Sequence, residues 1–126
     1  MRRWGICEEK GGGIDRVIAL SELYQLPAPD FRMLEKHTKV IMFAYKKLAN
    51  MDRQDKIRAC YQHCCLRYVS NDHMTNQTLR ERFKIQDQNA AIASRIIADT
   101  IDAGLIRLED PENKSRKYTR YVPVWA

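Results

Sequence analysis

Apolar positions recur with helical spacing in three stretches of the second half of the chain. Residues 52–68 place apolar and cysteine side chains on one face, which predicts an amphipathic helix. Thr75 is a candidate N-cap for a short helix over residues 76–83, where two apolar side chains stand four residues apart. Asp87 can cap a third helix that extends to residue 103. The pattern therefore predicts three consecutive helices.

Two strands are predicted after the third helix. Gly104 stands where a glycine commonly ends a helix, and residues 105–108 are predicted to be a short strand. Residues 110–113 have a turn-forming composition, and residues 118–125 are predicted to be the returning strand. Two helices joined by a tight turn at residues 84–86 and followed by a hairpin are typical of a winged helix-turn-helix domain.

The first fifty residues predict a different kind of unit. The three glycines at residues 11–13 indicate a loop without regular structure, because glycine permits left-handed backbone or the close approach of a ligand. Residues 14–24 have the spacing of an amphipathic helix, and the prolines within residues 26–29 end it. Alternation over residues 31–35 and an apolar run over residues 40–45 predict an antiparallel β-hairpin.

The predicted fold class is α+β with two parts. A helix and β-hairpin segment covers residues 1–50, and a winged helix-turn-helix covers residues 51–126. The chain has 126 residues, which is enough for one ordinary domain or two very small ones. No linker rich in Pro, Gly or Ser separates the two parts, so we expect a short join near residues 49–52.

Composition and charge narrow the function classes. No apolar run reaches the roughly 18 residues that a membrane helix needs, and the N-terminus lacks the apolar core of a signal peptide. We therefore predict a soluble, cytoplasmic protein without a membrane partner. The net charge of +6 favours polyanions, of which nucleic acid is the commonest in the cytoplasm. Four basic residues lie within seven positions that hold no acid: Lys114, Arg116, Lys117 and Arg120.

Cysteine and histidine residues raise the question of a metal site. Four candidate ligands are close in the sequence: Cys60, His63, Cys64 and Cys65. Structural zinc sites usually combine a C-x-x-C pair with a second, distant pair, whereas the four-residue spacing of Cys60 and Cys64 indicates a buried helical face. We expect no bound zinc and no catalytic Cys-His or Ser-His-Asp arrangement. The sequence offers no recognisable partner for the three histidines, His37, His63 and His73.

The third predicted helix divides into two faces at 100° per residue. The face expected to pack on the other helices consists of Ile92, Ala93, Ile96, Ile97, Thr100 and Ile101. The opposite face consists of Gln88, Ala91, Ser94, Arg95, Asp99 and Asp102. The N-terminal half of that opposite face is neutral or basic, so it can approach phosphates without repulsion. This agrees with the usual docking of a recognition helix, whose first residues enter the major groove of DNA.

Side-chain chemistry suggests a role for each candidate contact. Arg95 can read guanine or grip a phosphate, amide side chains can pair with adenine, and a small side chain suits a thymine methyl group. Hydroxyl and amide groups at a helix start suit a phosphate, and a basic hairpin suits the DNA backbone or minor groove. The predicted DNA-binding residues are Thr75, Asn76, Thr78, Gln88, Asn89, Ala91, Ser94, Arg95, Lys114, Arg116, Lys117 and Arg120.

Several stretches of the chain resemble one known family. The stretches are TNQTLRERF at 75–83, SRII at 94–97, AGLI at 103–106, YVPVWA at 121–126, EKGGGIDR at 9–16 and YQLPAPDF at 24–31. They resemble the C-terminal region of RecG-like transcriptional regulators, also described as ATP-dependent DNA helicase-related proteins. The resemblance implies that longer proteins carry an AlbA/Schlafen-type domain and a degenerate GHKL-type ATPase-like region before the winged helix. It also implies that Trp125 and Ala126 form a natural C-terminus.

The resemblance gives residues 1–50 the role of a C-terminal remnant of a GHKL-like domain. In histidine-kinase-type ATP-binding domains the last glycine box covers the phosphates, and Gly11, Gly12 and Gly13 would occupy that position. The metal-binding Asn helix, the adenine-binding Asp-x-Gly-x-Gly, a Walker motif and helicase motifs are missing from the sequence. We therefore interpret the glycines as structural and expect no cofactor in this chain, while ATP binding by a longer protein stays open.

Three functions remain after these observations. The first is a DNA-binding module of a transcriptional regulator, with double-stranded DNA as the partner. The second is a substrate-positioning fragment of an ATP-dependent nucleic-acid enzyme. The third is a winged-helix adaptor that binds another protein. None makes this chain an enzyme by itself, and the sequence leaves a homodimer open.

Overall fold

The computed structural model describes residues 12–112 and 119–126, which form four α-helices and two antiparallel hairpins. The helices are α1 (Gly12–Leu23), α2 (Arg53–Val69), α3 (Asn76–Phe83) and α4 (Ala90–Asp102). The strands are β1 (Asp30–Met33), β2 (Thr38–Ile41), β3 (Ile106–Leu108) and β4 (Tyr121–Pro123). The predicted α+β class is confirmed. None of the described helices combines the length and the apolar character that crossing a membrane requires.

Local capping fixes where α2 and α3 begin. The Asp52 carboxylate accepts a hydrogen bond from the Asp55 backbone N–H at 2.8 Å, so α2 begins at Arg53, one residue after the predicted start. Thr75 caps α3 as predicted and forms a capping box with Thr78. At its other end α3 stops at Lys84, whose φ of +56° places the backbone in the left-handed region.

The first glycines differ from the prediction of an irregular loop. Gly12 and Gly13 form the first turn of α1, so the prediction is wrong for these two residues, while Gly11 lies outside the described residues. Even in a helix interior a glycine costs only about 1 kcal/mol relative to alanine, and these two glycines lie in the first turn. That penalty does not prevent a helix whose buried side includes Ile18 and Ser21.

The start of α4 also differs from the prediction. Asp87 does not cap the helix, because a 3₁₀ turn over Asp87–Asn89 precedes it and α4 begins only at Ala90. The Asp87 carboxylate instead forms an ion pair with the Arg80 guanidinium of α3. At the C-terminal end, Gly104 has a φ of +77°, as expected for a glycine that ends a helix.

The buried side of α4 is narrower than predicted. Ala93, Ile96, Ile97 and Thr100 are buried, whereas Ile92 is 44% exposed and Ile101 is 37% exposed. At 100° per residue, Ile92 and Ile101 lie about 90° to either side of the centre of the buried face. They are therefore edge positions, and the prediction that they belong to the core is wrong.

The two hairpins are shorter than the apolar runs suggest. β1 and β2 pair with Phe31 opposite Val40, and β2 ends at Ile41 although the run continues to residue 45. Its pairing ends opposite Asp30, which follows Pro29, and proline has no backbone N–H to extend a ladder. β4 spans Tyr121–Pro123 within the predicted 118–125, of which residue 118 lies outside the described residues.

A third backbone segment adds to the second hairpin. β3 and β4 pair with Leu108 opposite Tyr121, and on the other side of Tyr121 an antiparallel bridge joins it to Met74. The Tyr121 backbone N–H donates to the Met74 carbonyl at 2.9 Å. β4 therefore lies between β3 and the residues that connect α2 to α3.

One hydrophobic core includes residues from both sides of position 50. Its N-terminal members are Ile18 of α1, Ala28 and Phe31. Its largest fully buried members from the second half are Met74 and Leu79. The predicted division at residue 50 stays a prediction, but the described residues on both sides pack together.

The loop between α1 and β1 is held through its carbonyl groups. Pro27 and Pro29 have no N–H, so this buried loop presents mainly acceptors. Three side chains of the second half donate to it. Arg82 donates to the Leu26 carbonyl at 2.8 Å, Arg58 to Ala28 at 3.1 Å and Gln62 to Pro29 at 2.6 Å. These bonds join residues 26–29 to α2 and α3.

Candidate nucleic-acid interface

The candidate interface lies at the start of α4, next to α3. Gln88, Asn89, Ala91, Ser94 and Arg95 are all exposed there. No acidic side chain occurs from residue 88 to residue 95. The structure thus leaves the predicted contacts of this helix accessible to solvent, without a carboxylate among them in the sequence.

Asn76 fixes α3 against α4. Its side-chain amide donates to the Ala90 carbonyl at 3.1 Å and to the Ser94 hydroxyl at 2.9 Å. Its side-chain oxygen accepts from Arg80 at 2.7 Å. Asn76 and Ser94 therefore hold the two helices in position, and their predicted contact with DNA stays a prediction.

The predicted phosphate contacts at the start of α3 also form internal hydrogen bonds. The Thr78 hydroxyl accepts from the Thr75 backbone N–H at 3.0 Å, and the Thr75 hydroxyl accepts from the Thr78 N–H at 3.2 Å. Nε2 of His63 lies 3.1 Å from the Thr78 hydroxyl oxygen. These two hydroxyl groups form the hydrogen bonds of the capping box, and their contact with phosphate remains a prediction.

Two of the three histidines have partners that sequence reasoning missed. Nδ1 of His63 lies 2.9 Å from the Glu22 carboxylate of α1, and His73 forms an ion pair with Glu109. Glu22 is 41 residues from His63 and Glu109 is 36 residues from His73, so local spacing gives no signal for either pair. The expectation that no histidine has a recognisable partner is therefore wrong for both.

Charge near α4 is more balanced than the sequence suggests. Asp99 forms an ion pair at 3.5 Å with Arg53 at the start of α2. The acidic second half of the predicted DNA face is thus partly neutralised. The environment of Arg95 differs from that of Asp99. Arg95 lines a groove of about 610 Å³ together with Lys56, Leu48 and Ile92.

Only one member of the basic hairpin cluster is described. Arg120 is exposed, and its guanidinium lies 3.9 Å from the Glu109 carboxylate. Lys114, Arg116 and Lys117 lie outside the described residues. An acid from β3's end therefore neighbours Arg120, although the sequence places no acid within the cluster itself.

The cysteines of α2 occupy the core. Cys60, Cys64 and Cys65 are all fully buried, as the helical spacing predicts for Cys60 and Cys64. Within residues 12–112 and 119–126, no three His, Cys, Asp or Glu side chains are grouped so that they could hold a metal ion. Burial raises the pKa of the Cys60 thiol to about 12, with a hydrogen bond to Thr100 acting in the opposite direction.

We expect Cys60 to resist alkylation in the folded protein. Because its pKa is raised to about 12, the thiolate is scarce at pH 8, and burial also blocks the reagent. Iodoacetamide labelling followed by peptide mass spectrometry measures this, with the protein in urea as the reference for full reaction. Complete labelling of Cys60 in the native protein within the time needed in urea would contradict the burial of α2's inner face.

One comparison with known proteins gives a match. The model of a family described as "Putative ATP-dependent DNA helicase recG C-terminal" matches residues 1–42, a third of the chain. No curated protein and no solved structure matches the chain. The match covers α1 and the first hairpin, and it does not reach α2, α3 or α4.

Proposed function

We propose that this chain binds double-stranded DNA through a winged helix-turn-helix formed by its second half. The observation that carries the proposal is the α3–α4 pair, in which Asn76 fixes the helices together while the acid-free start of α4 faces outward. In this arrangement α4 is the recognition helix, and the β3–β4 hairpin is the wing. The bridge between Met74 and Tyr121 supports it, because a backbone hydrogen bond then ties the wing to the residues that connect α2 and α3.

The roles of individual residues follow from their positions on α4. Arg95 is exposed on α4, and Ile96 and Ile97 are buried on the other side of the helix. Because that packing fixes the helix, the Arg95 side chain can contact only a few base edges in a groove of DNA. Gln88 and Asn89 both lie on the 3₁₀ turn that directly precedes α4, close to the end of a recognition helix that first meets base edges. The wing cations would contribute contacts with phosphates that do not depend on sequence.

The proposed biological role is that of a DNA-binding module in a transcriptional regulator. The match over residues 1–42 supports a connection with DNA-directed proteins, since the family's description names a DNA helicase. The same match favours the second candidate, a substrate-positioning part of an ATP-dependent enzyme. ATP binding by a longer protein that contains this chain would distinguish the enzyme from the regulator.

The groove beside α4 favours the third candidate, an adaptor that binds protein. Leu48, Ala49, Ala91 and Ile92 give that groove an apolar wall, and Ile92 is 44% exposed. An apolar surface of this kind suits contact with a protein partner better than it suits contact with phosphates. Titration with DNA separates this candidate from the first, because an adaptor has no salt-dependent affinity for duplexes.

We expect Arg95→Ala to weaken binding to a preferred duplex by roughly 1–3 kcal/mol and to relax selection at one base pair. The preferred duplex is obtained by selection from a random pool. Fluorescence anisotropy then compares wild type and variant on preferred and random duplexes at two salt concentrations. Stability should change little, since Arg95 is exposed.

Arg32→Ala is the matched control for this experiment. Arg32 is an exposed arginine on β1, in the first hairpin and outside the α3–α4 pair. Its replacement should leave the affinities for the preferred and the random duplex unchanged. Equal losses on both duplexes for Arg95→Ala would make Arg95 a phosphate contact. Failure of the wild-type chain to bind any duplex at low salt would contradict the proposal and favour the adaptor.

A further inference from the structure

A basic cleft of about 490 Å³ lies on another part of the surface, between the end of α1, residues 45–48 and the end of α3. Four cations line this basic cleft: Lys46, Lys47, Arg82 and Lys84. None of the described residues that line it is acidic. None of the sequence motifs points to it, because its cations come from segments more than thirty residues apart.

Arg82 is a buried cation whose guanidinium has few hydrogen-bond partners. The residue is 4% exposed, its Nη2 donates to the Leu26 carbonyl, and its Nε lies 3.7 Å from the Glu22 carboxylate. Neither Nε nor Nη1 has a hydrogen-bond partner in the described part of the chain. The Glu22 carboxylate also lies within hydrogen-bond distance of His63 Nδ1. Burial accordingly lowers the pKa of Arg82, and the charge of Glu22 opposes that shift.

Two lysines at the rim have no acid of their own. Lys46 pairs with Asp55 at 3.4 Å, but Lys47 and Lys84 are exposed and form no ion pair with any residue in the described ranges. The left-handed backbone at Lys84 ends α3 beside Arg82 and Phe83. Two exposed lysines and a buried guanidinium thus line the same cleft, which favours an anion of more than one charge.

Aromatic rings complete the cleft. Tyr24 is 64% exposed and Tyr45 is 63% exposed, and both line it. An exposed aromatic ring offers apolar area and a surface for stacking. We propose that the basic cleft binds a phosphate monoester whose organic part packs on these rings. A phosphate monoester carries about −1.5 to −2 charges at pH 7, which suits two lysines and Arg82, whereas a carboxylate carries only one.

Titration calorimetry with phenyl phosphate on the full chain, at low salt and without DNA, tests this proposal. We expect saturable binding by wild type, with benzoate and inorganic phosphate both weaker, since each lacks one half of the recognised chemistry. Lys47→Gln and Lys84→Gln should each weaken phenyl phosphate about tenfold, the effect expected for losing one charged hydrogen bond. Lys39→Gln removes an exposed lysine from β2, away from the cleft, and should have no effect.

Three outcomes would overturn the proposal. The first is no binding of phenyl phosphate by wild type. The second is equal weakening by Lys39→Gln, which would reduce the effect to net charge. The third is displacement of phenyl phosphate by a short DNA duplex in a manner sensitive to Lys84→Gln, which would assign the cleft to nucleic-acid phosphates. Thermal unfolding of each variant confirms that the exposed substitutions leave the fold intact.

Discussion

Replacement of Glu22 by alanine is expected to lower the free energy of unfolding by about 3–5 kcal/mol, the usual cost of removing one partner from a buried ion pair. Its carboxylate lies 2.9 Å from His63 and 3.7 Å from Arg82, whose side chains are 5% and 2% exposed. Without Glu22, Arg82 keeps its charge in a buried position with no acid beside it. Urea denaturation followed by circular dichroism measures the loss.

Two further variants make this result specific. Glu22→Gln keeps a hydrogen-bonding side chain without the charge and should fall between wild type and Glu22→Ala. Asp99→Ala removes an acid from the more exposed Arg53–Asp99 pair, whose side chains are 61% and 31% exposed, and should cost about 0–1 kcal/mol. A loss for Glu22→Ala as small as that for Asp99→Ala would show that Arg82 does not depend on Glu22.

Leu79→Ala is expected to cost about 2–5 kcal/mol, through lost apolar burial and the cavity that remains. Leu79 is fully buried at the centre of α3, a helix of eight residues, and it belongs to the common core. Because α3 is so short, it depends on packing more than on its own helical propensity. The same urea experiment measures the loss.

Leu34→Ala is the matched control for the core substitution. Leu34 is 45% exposed beside the turn of the first hairpin, so its loss should change stability by about 0.5 kcal/mol or less. If Leu79→Ala were as mild as Leu34→Ala, α3 could not be packed as described.

Helical periodicity and capping chemistry predicted much of the fold. α3 has the predicted bounds of 76–83, and α2 spans 53–69 where 52–68 was predicted; each helix begins directly after a side chain that caps it. Asp87 misled the prediction for α4, since its carboxylate had an alternative partner in Arg80, seven residues away and on a different helix. The capping signal at Asp87 therefore did not mark the start of α4, which a 3₁₀ turn precedes.

The candidate site was predicted less completely than the fold. Side-chain type could identify Asn76 and Ser94 as polar residues near the surface, but only the crossing of α3 and α4 brings them within 2.9 Å of each other. The sequence likewise could not show that Glu22 meets both His63 and Arg82, or that four cations from distant segments share one cleft. Such placements depend on tertiary packing, for which periodicity carries no information.

The hydrogen bonds from α2 and α3 to residues 26–29 have a consequence for how such a chain can evolve. Its two halves are not exchangeable modules, because the second half carries donors whose acceptors belong to the first. A recombination that joined residues 51–126 to an unrelated N-terminal partner would deprive Arg82 and Gln62 of those acceptors. The proline loop and its donors are therefore expected to be inherited together, and to change together when either changes.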